Sequence, residues 1–129
     1  MTHRSRAYAV LIDTPREDAS ASAAFWAGAL GVEAREVPGE EQFTVLSADA
    51  VPGLVVAVQA VDDAPRFHVD VEKTDDVEAE TARLVALGAV EVSQWLECRV
   101  LRAPGGHLVC VIPVHSEAGF FAEHARVWG

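Results

Sequence analysis

The chain has 129 residues, half of them hydrophobic, with ten Lys and Arg against twenty Asp and Glu, a formal net charge of −10. That length suits one domain with a real core. The acidity excludes a cationic nucleic-acid surface and an anionic membrane face as partners. No run of about 18 apolar residues is present, so no membrane-spanning helix is expected. Met1 to Ala7 carries basic residues without an apolar segment behind it, so no signal peptide is expected and the cytoplasm is the expected location. Nine Arg against the single Lys73, with abundant Ala, Val and Gly, fit a GC-rich bacterial source. Cys98 and Cys110 form no CxxC pair and no disulfide framework.

In chain order, residues 7–13 form a short apolar run and are expected to be a strand. Thr14 offers an N-cap, Pro15 a first helical position and Glu17 the rest of a capping box. A helix to Leu30 follows, with a stripe of Ala19, Ala23, Trp26 and Leu30 flanked by Phe25 and Ala29, closed by Gly31. Strands are expected over Val32–Val37, Gln42–Ala48 and Gly53–Val61, and the turn-rich residues 62–65 divide the chain.

The second half repeats the order. Arg66–Glu72 alternates strictly, with Phe67, Val69 and Val71 on one face and Arg66, His68, Asp70 and Glu72 on the other. Thr74 or Asp75 caps the next helix, Asp75 pairing with Glu78 in a second capping box. Its stripe is Val77, Thr81, Leu84 and Val85, and Gly88 ends it. Strands follow near Ala89–Val92, Gln94–Arg102 and His107–Val114, with a turn at Pro104-Gly105-Gly106. The expected order is therefore βαβββ twice, an α+β fold. Residues 1–129 make one domain: module one at about 7–61, module two at about 66–114, and a tail at 115–129. Thr14 and Thr74 sit at equivalent caps, which places Tyr8 opposite His68. Phe120, Phe121 and Trp128 give the tail an apolar side for packing.

Three segments carry a resemblance. They are Ala24-Phe25-Trp26 through Leu30-Gly31, then Phe67 to Val71 with Thr74 to Glu80, and Ala103 to Cys110 around Pro104-Gly105-Gly106. In order and spacing they resemble the vicinal oxygen chelate superfamily, and within it the glyoxalase-like domain branch. The resemblance covers nearly the whole chain up to Val114. It implies two βαβββ modules forming a cupped mixed sheet with a ligand cleft, and four cleft positions that hold a divalent metal in typical members.

At those positions this sequence has Tyr8, then Ala57 or Gln59 depending on register, His68 and Cys110, and Ala103 replaces the usual turn Asp. Only His68 is an expected ligand, so no tightly bound catalytic metal and no cofactor are expected. Asp70 or Glu97 turned inward would be the rescue.

The resemblance then implies ligand contacts at Tyr8, Gln59, His68, Trp95, Arg99 and Cys110. His68 suits hydrogen bonding or acid/base work. Trp95, Glu97 and Arg99 share one strand face by alternation, and Trp with Arg suits an aromatic or carboxylate-bearing ligand. Cys110 faces the cleft and Cys98 the helix side. His3, His107, His115 and His124 lie in tails or a turn and are expected to be exposed. No phosphate-binding loop, GxSxG or Ser/His/Asp set is present.

The expected function is a glyoxalase-like protein that binds or sequesters a small organic ligand in the cleft without a catalytic metal, as members of the bleomycin-resistance type do. The alternatives are a metal-dependent lyase, isomerase or dioxygenase, and a protein-interaction module that uses the aromatic tail. Exposed sheet edges make a homodimer plausible.

Overall fold

A computed structural model describes residues 2–46, 53–114 and 118–129, with the backbone alone at 69–73. The expected end of the second β-run at Ala48 and the placement of His115 lie outside the described residues. The chain divides into two compact units, Ala9–His68 and a second one made of Met1–Tyr8 with Val69–Gly129. None of the described helices is long and apolar enough to cross a membrane.

The Ala9–His68 unit runs β2 (Ala9–Pro15), α1 (Ala19–Leu30), β3 (Ala34–Val37), β4 (Glu40–Leu46) and β5 (Val55–Val61), one complete βαβββ motif, and closes with the first residues of β6 (Arg66–Thr74). The strands lie in the order β3-β4-β5-β2. β2 and β5 are parallel, in register from Ala9↔Val55 to Pro15↔Val61, and β4 lies antiparallel on β5 with Phe43 opposite Gln59. Alternation then sorts the side chains. Ile12, Leu46, Val56 and Val58 face α1 and form the core with Ala23, against which Trp26, Ala27 and Val32 pack. Leu11, Asp13, Phe43, Val45, Ala57 and Gln59 take the opposite face by register.

The first helix starts later than its capping box suggests. Thr14 stays in β2, where its hydroxyl donates to the Ile12 carbonyl and also bonds the Ser22 hydroxyl. Residues 16–18 form a 3-10 turn, and Asp18 precedes α1 without a side-chain cap. Pro15 thus opens the tighter turn rather than the α-helix. Gly31 does close the helix as expected, at φ 70°. Part of the expected apolar side is not core: Leu30 of the stripe is exposed, and Phe25 beside it is 63% exposed.

The other unit carries β1 (His3–Arg6), the rest of β6, α2 (Val77–Ala86), β7 (Val90–Trp95), β8 (Cys98–Arg102), β9 (Leu108–Pro113), α3 (Ala118–His124) and β10 (Arg126–Trp128). From β6 to β9 this is the second βαβββ motif, in the order β6-β9-β8-β7. The helix α2 packs on β8, β9 and β1, over Leu101 and Val111, which are fully buried. Its N-cap is Asp76, one residue beyond the expected cap; its carboxylate accepts from the Ala79 N–H. Thr74 Oγ1 in turn accepts from the Asp76 N–H. Gly105 and Gly106 adopt φ of 97° and 99° in the hairpin turn between β8 and β9.

Two strands of this unit escaped the sequence. β1 and β10 pair antiparallel, His3↔Trp128 to Ser5↔Arg126, and β1 also pairs the end of β6. They alternate charged or small residues with few apolar ones, so no hydrophobic period marks them.

A further correction concerns the expected strand Gln94–Arg102. It is two strands joined by a two-residue turn at Leu96-Glu97, with Trp95 opposite Cys98. Leu96 carries the one positive φ among described non-glycine residues, 54°, and is 77% exposed. A glycine would adopt that conformation without the Cβ penalty and would forfeit little packing. Leu96→Gly is therefore expected to stabilise the protein by about 0.5–1 kcal/mol, seen as a higher urea midpoint at unchanged slope.

Candidate functional site

The sheet face of the Ala9–His68 unit that points away from α1 gathers three charged or titratable residues, Asp13, Arg66 and His68. β2 ends its apolar run on Asp13, which is 2% exposed. His68, at 7%, comes from the start of β6, and its Nδ1 lies 2.8 Å from Asp13 Oδ2. Arg66, two residues earlier and on the same strand face, donates from Nε to that oxygen at 3.3 Å. Its Nη1 donates to Asp63 at 2.8 Å, and that bond is the main reason the guanidinium pKa is raised. The backbone N–H of Ala64 and Arg66 together hold the Asp63 carboxyl below its ordinary value.

Asp13 Oδ1 is buried without a hydrogen-bond partner. A carboxylate oxygen left this way is costly, and it retains the capacity to accept one more hydrogen bond. The Asp13 carboxylate also fixes the orientation of the imidazole through Nδ1.

The structure distributes the expected ligand residues unevenly. Gln59 is directly opposite Asp13 in the β2–β5 register and half-buried, so it shares the face of the Asp13–His68 pair. Tyr8 falls in the other unit, one residue ahead of β2.

Trp95, Arg99 and Cys110 also belong to that other unit. The turn at Leu96-Glu97 resets the alternation there, so Trp95 and Arg99 occupy opposite faces. Arg99 pairs with buried Val111 and reaches Glu78 of α2 at 3.5 Å and Glu91 at 3.3 Å, which puts it on the helix side. Trp95 is 65% exposed. Cys98 and Cys110 share one face, because Val100 opposes Cys110 and Cys98 is two residues from Val100. The expectation that they face opposite sides is thus corrected, for the same reason.

His107 and His124 are exposed as expected, but His3 is buried at 8% and bonds Glu80 through Nε2 at 2.7 Å. Sequence reasoning also passed over Asp13. The available signal was a carboxylate placed in phase with Ala9 and Leu11 inside an apolar strand.

Typical members of the superfamily hold a divalent metal, and the donors present here do not fit one. No group of three or more His, Cys, Asp or Glu side chains converges among the described residues. The pair that does meet, Asp13 and His68, is spent on a mutual hydrogen bond. A bound metal needs at least three such donors with open positions for substrate.

Comparison with known proteins agrees with the topology. The glyoxalase-like domain model matches residues 9–112, and the chain belongs to that family, within the vicinal oxygen chelate superfamily. Among solved structures, a hypothetical protein from Bacillus halodurans C-125 is 10% identical with a TM-score of 0.56, covering 88% of this chain and 97% of its own. Methylmalonyl-CoA epimerase from Mycobacterium tuberculosis is 17% identical with a TM-score of 0.50, covering 88% and 91%. A variant of the Streptomyces coelicolor methylmalonyl-CoA epimerase, in complex with 2-nitronate-propionyl-CoA, is 14% identical with a TM-score of 0.51, covering 88% and 99%. At these identities the likeness is one of fold. No curated protein matches the sequence.

Proposed function

We propose that this chain is a small-molecule-binding protein of the glyoxalase-like family that works without a catalytic metal. The observation that carries the reading is the buried Asp13–His68 pair with Asp13 Oδ1 unsatisfied. Gln59 on the same face adds an amide able to donate or accept. The ligand this arrangement favours is a small organic molecule that brings a hydroxyl or N–H donor to Asp13. Tyr8, Trp95 and Cys110 are each proposed as contacts and are tested by their own substitutions. Arg99, engaged by two glutamates, is the weakest of the expected set.

The same pair supports a second reading, proton transfer by His68 with Asp13 as its positioning partner, since an oriented imidazole is the usual acid/base group near neutral pH.

Thermal shift with Zn²⁺, Fe²⁺, Mn²⁺ and Ni²⁺, and NMR titration with a library of small alcohols, amides and carboxylic acids, test the proposal. Expected are no metal response, and ligand shifts at Gln59 and His68 that disappear in Asp13→Asn. Near-stoichiometric metal that is lost in His68→Ala would overturn it in favour of a metal-dependent lyase, isomerase or dioxygenase.

A further inference from the structure

The first turns of α1 are built from alanine and serine alone, Ala19 to Ala24, before Phe25 and Trp26. The second half of the helix is seated by Trp26 and Ala27 on the core, and its start is tied to β2 by the Thr14–Ser22 hydrogen bond. Ala23 packs into the core, but the small side chains around it leave space over the strands. What remains is a cavity of about 490 Å³ between α1 and the strands β3, β4 and β5, inside the range of small-molecule sites.

Its floor is apolar: Ala19, Ala23 and Ala24 from the helix, Val58 and Ala60 from β5. Its rim is acidic. Glu36 and Glu41 both line it, both are exposed, and neither meets a basic side chain among the described residues. The one cation of the lining, Arg16, is already directed at Asp62, Nε to Oδ1 at 3.2 Å. Thr44 and Ser20 supply hydroxyls. Thr44 and Val58 oppose each other in register, one residue out of phase with Phe43 and Gln59, so this cavity opens on the helix side of the strands. It is separate from the Asp13–His68 site, which uses the other side.

We propose that this cavity is a second binding site, and that it takes a small amphipathic amine. The apolar body lies on the alanine floor, and the ammonium is held between Glu36 and Glu41. An anion of the same shape would meet two unanswered carboxylates, and a neutral molecule would leave them unpaired. The net charge of −10 favours the same sign of ligand at longer range.

The test is ¹H–¹⁵N NMR titration of the full chain with 2-phenylethylamine, 2-phenylethanol and 3-phenylpropionate. The amine should give saturable shifts confined to Ala19–Ala24, Thr44 and Val58. The alcohol should bind about fivefold more weakly and the carboxylate more weakly still. The double substitution Glu36→Gln with Glu41→Gln should reduce the amine to the level of the alcohol, and 0.5 M NaCl should do much the same. Ala24→Phe should fill the cavity and abolish binding, while Asp13→Asn leaves it intact. Equal binding of amine and alcohol, an absence of saturable shifts, or shifts centred on Gln59 and His68 would each overturn the proposal. Both glutamates are exposed, so the double variant is expected to fold, and an unchanged urea midpoint verifies it.

Discussion

Glu80→Ala is expected to cost about 3–5 kcal/mol of folding stability, the largest loss of any charged-residue substitution in the Met1–Tyr8/Val69–Gly129 unit. Glu80 lies on α2 with no exposed surface. Its carboxylate accepts two bonds from Arg83, Nε at 2.8 Å and Nη2 at 2.7 Å, one from the Ser5 hydroxyl at 3.0 Å, and meets His3 Nε2 at 2.7 Å. Arg83 lies over the Trp128 ring, 3.8 Å from its centroid, and Trp128 Nε1 donates to Ser5 Oγ at 2.9 Å. One carboxylate therefore ties β1 and β10 to α2. Removing it leaves a cation, a hydroxyl and an imidazole buried or half-buried without their acceptor, which is why the penalty exceeds that of an ordinary salt bridge.

Glu80→Gln, which keeps the shape and some of the bonds, should lose less. Burial raises the Glu80 pKa, but the bonds from Arg83, His3 and Ser5 outweigh it and hold the carboxyl below its ordinary value. A folded-state pKa below the unfolded one means that the stabilisation is complete above the ordinary carboxylate range and is lost as pH falls through the folded value. Urea denaturation of wild type and Glu80→Gln between pH 7 and pH 3 should show the two curves converging toward acid. Parallel curves would contradict the assignment.

Leu46→Ala is expected to cost about 2–5 kcal/mol in the Ala9–His68 unit. Leu46 is fully buried at the end of β4 and belongs to the cluster of Ile12, Ala23, Val56 and Val58 under α1. A cavity already lies beside this cluster, lined by Ala23 and Val58. The emptied volume of Leu46 would have little material able to relax into it, because the neighbouring helix positions are alanines. Equilibrium unfolding followed by fluorescence gives the value, and filling in with Leu46→Met should restore most of it. A loss below 1 kcal/mol would mean that α1 settles onto the sheet and that the alanine-rich turns do not hold a permanent gap.

The two βαβββ motifs were legible because strand and helix periods alternate cleanly in each half, and because Gly31 and the Pro104-Gly105-Gly106 turn punctuate them. Arg66–Glu72 gave its strand directly, with Arg66 and His68 on one face. Elements with no hydrophobic period were not legible: β1 and β10 are recognised only through each other, and Glu80 looks like any acidic residue of a solvated helix turn until both strands arrive. The hairpin at Leu96-Glu97 was hidden because neither residue is a customary turn former, and the faces assigned to Cys98 and Arg99 just beyond it inverted with it, whereas Cys110 keeps the side away from the helix. At the candidate site, His68 and Gln59 followed from the superfamily frame, whereas Asp13 required knowing which side of β2 is shared with His68.

The division of the chain also sets an order of events during synthesis. Residues 9–68 form one contiguous unit, with parallel β2 and β5 in register, and its strands β2 to β5 with α1 have all been made by the time Val69 is added. The other unit is discontinuous: β1 precedes every other described element, yet its partner β10 follows them all, with His3 waiting for Trp128. A growing chain thus holds the Ala9–His68 strands in its middle while β1 gains one neighbour at the end of β6 and waits for β10 on its other edge, and closing that long loop is entropically the most demanding step. Folding from the ribosome should accordingly proceed from Ala9–His68 outward, with the β1–β10 pairing the last to be zipped in.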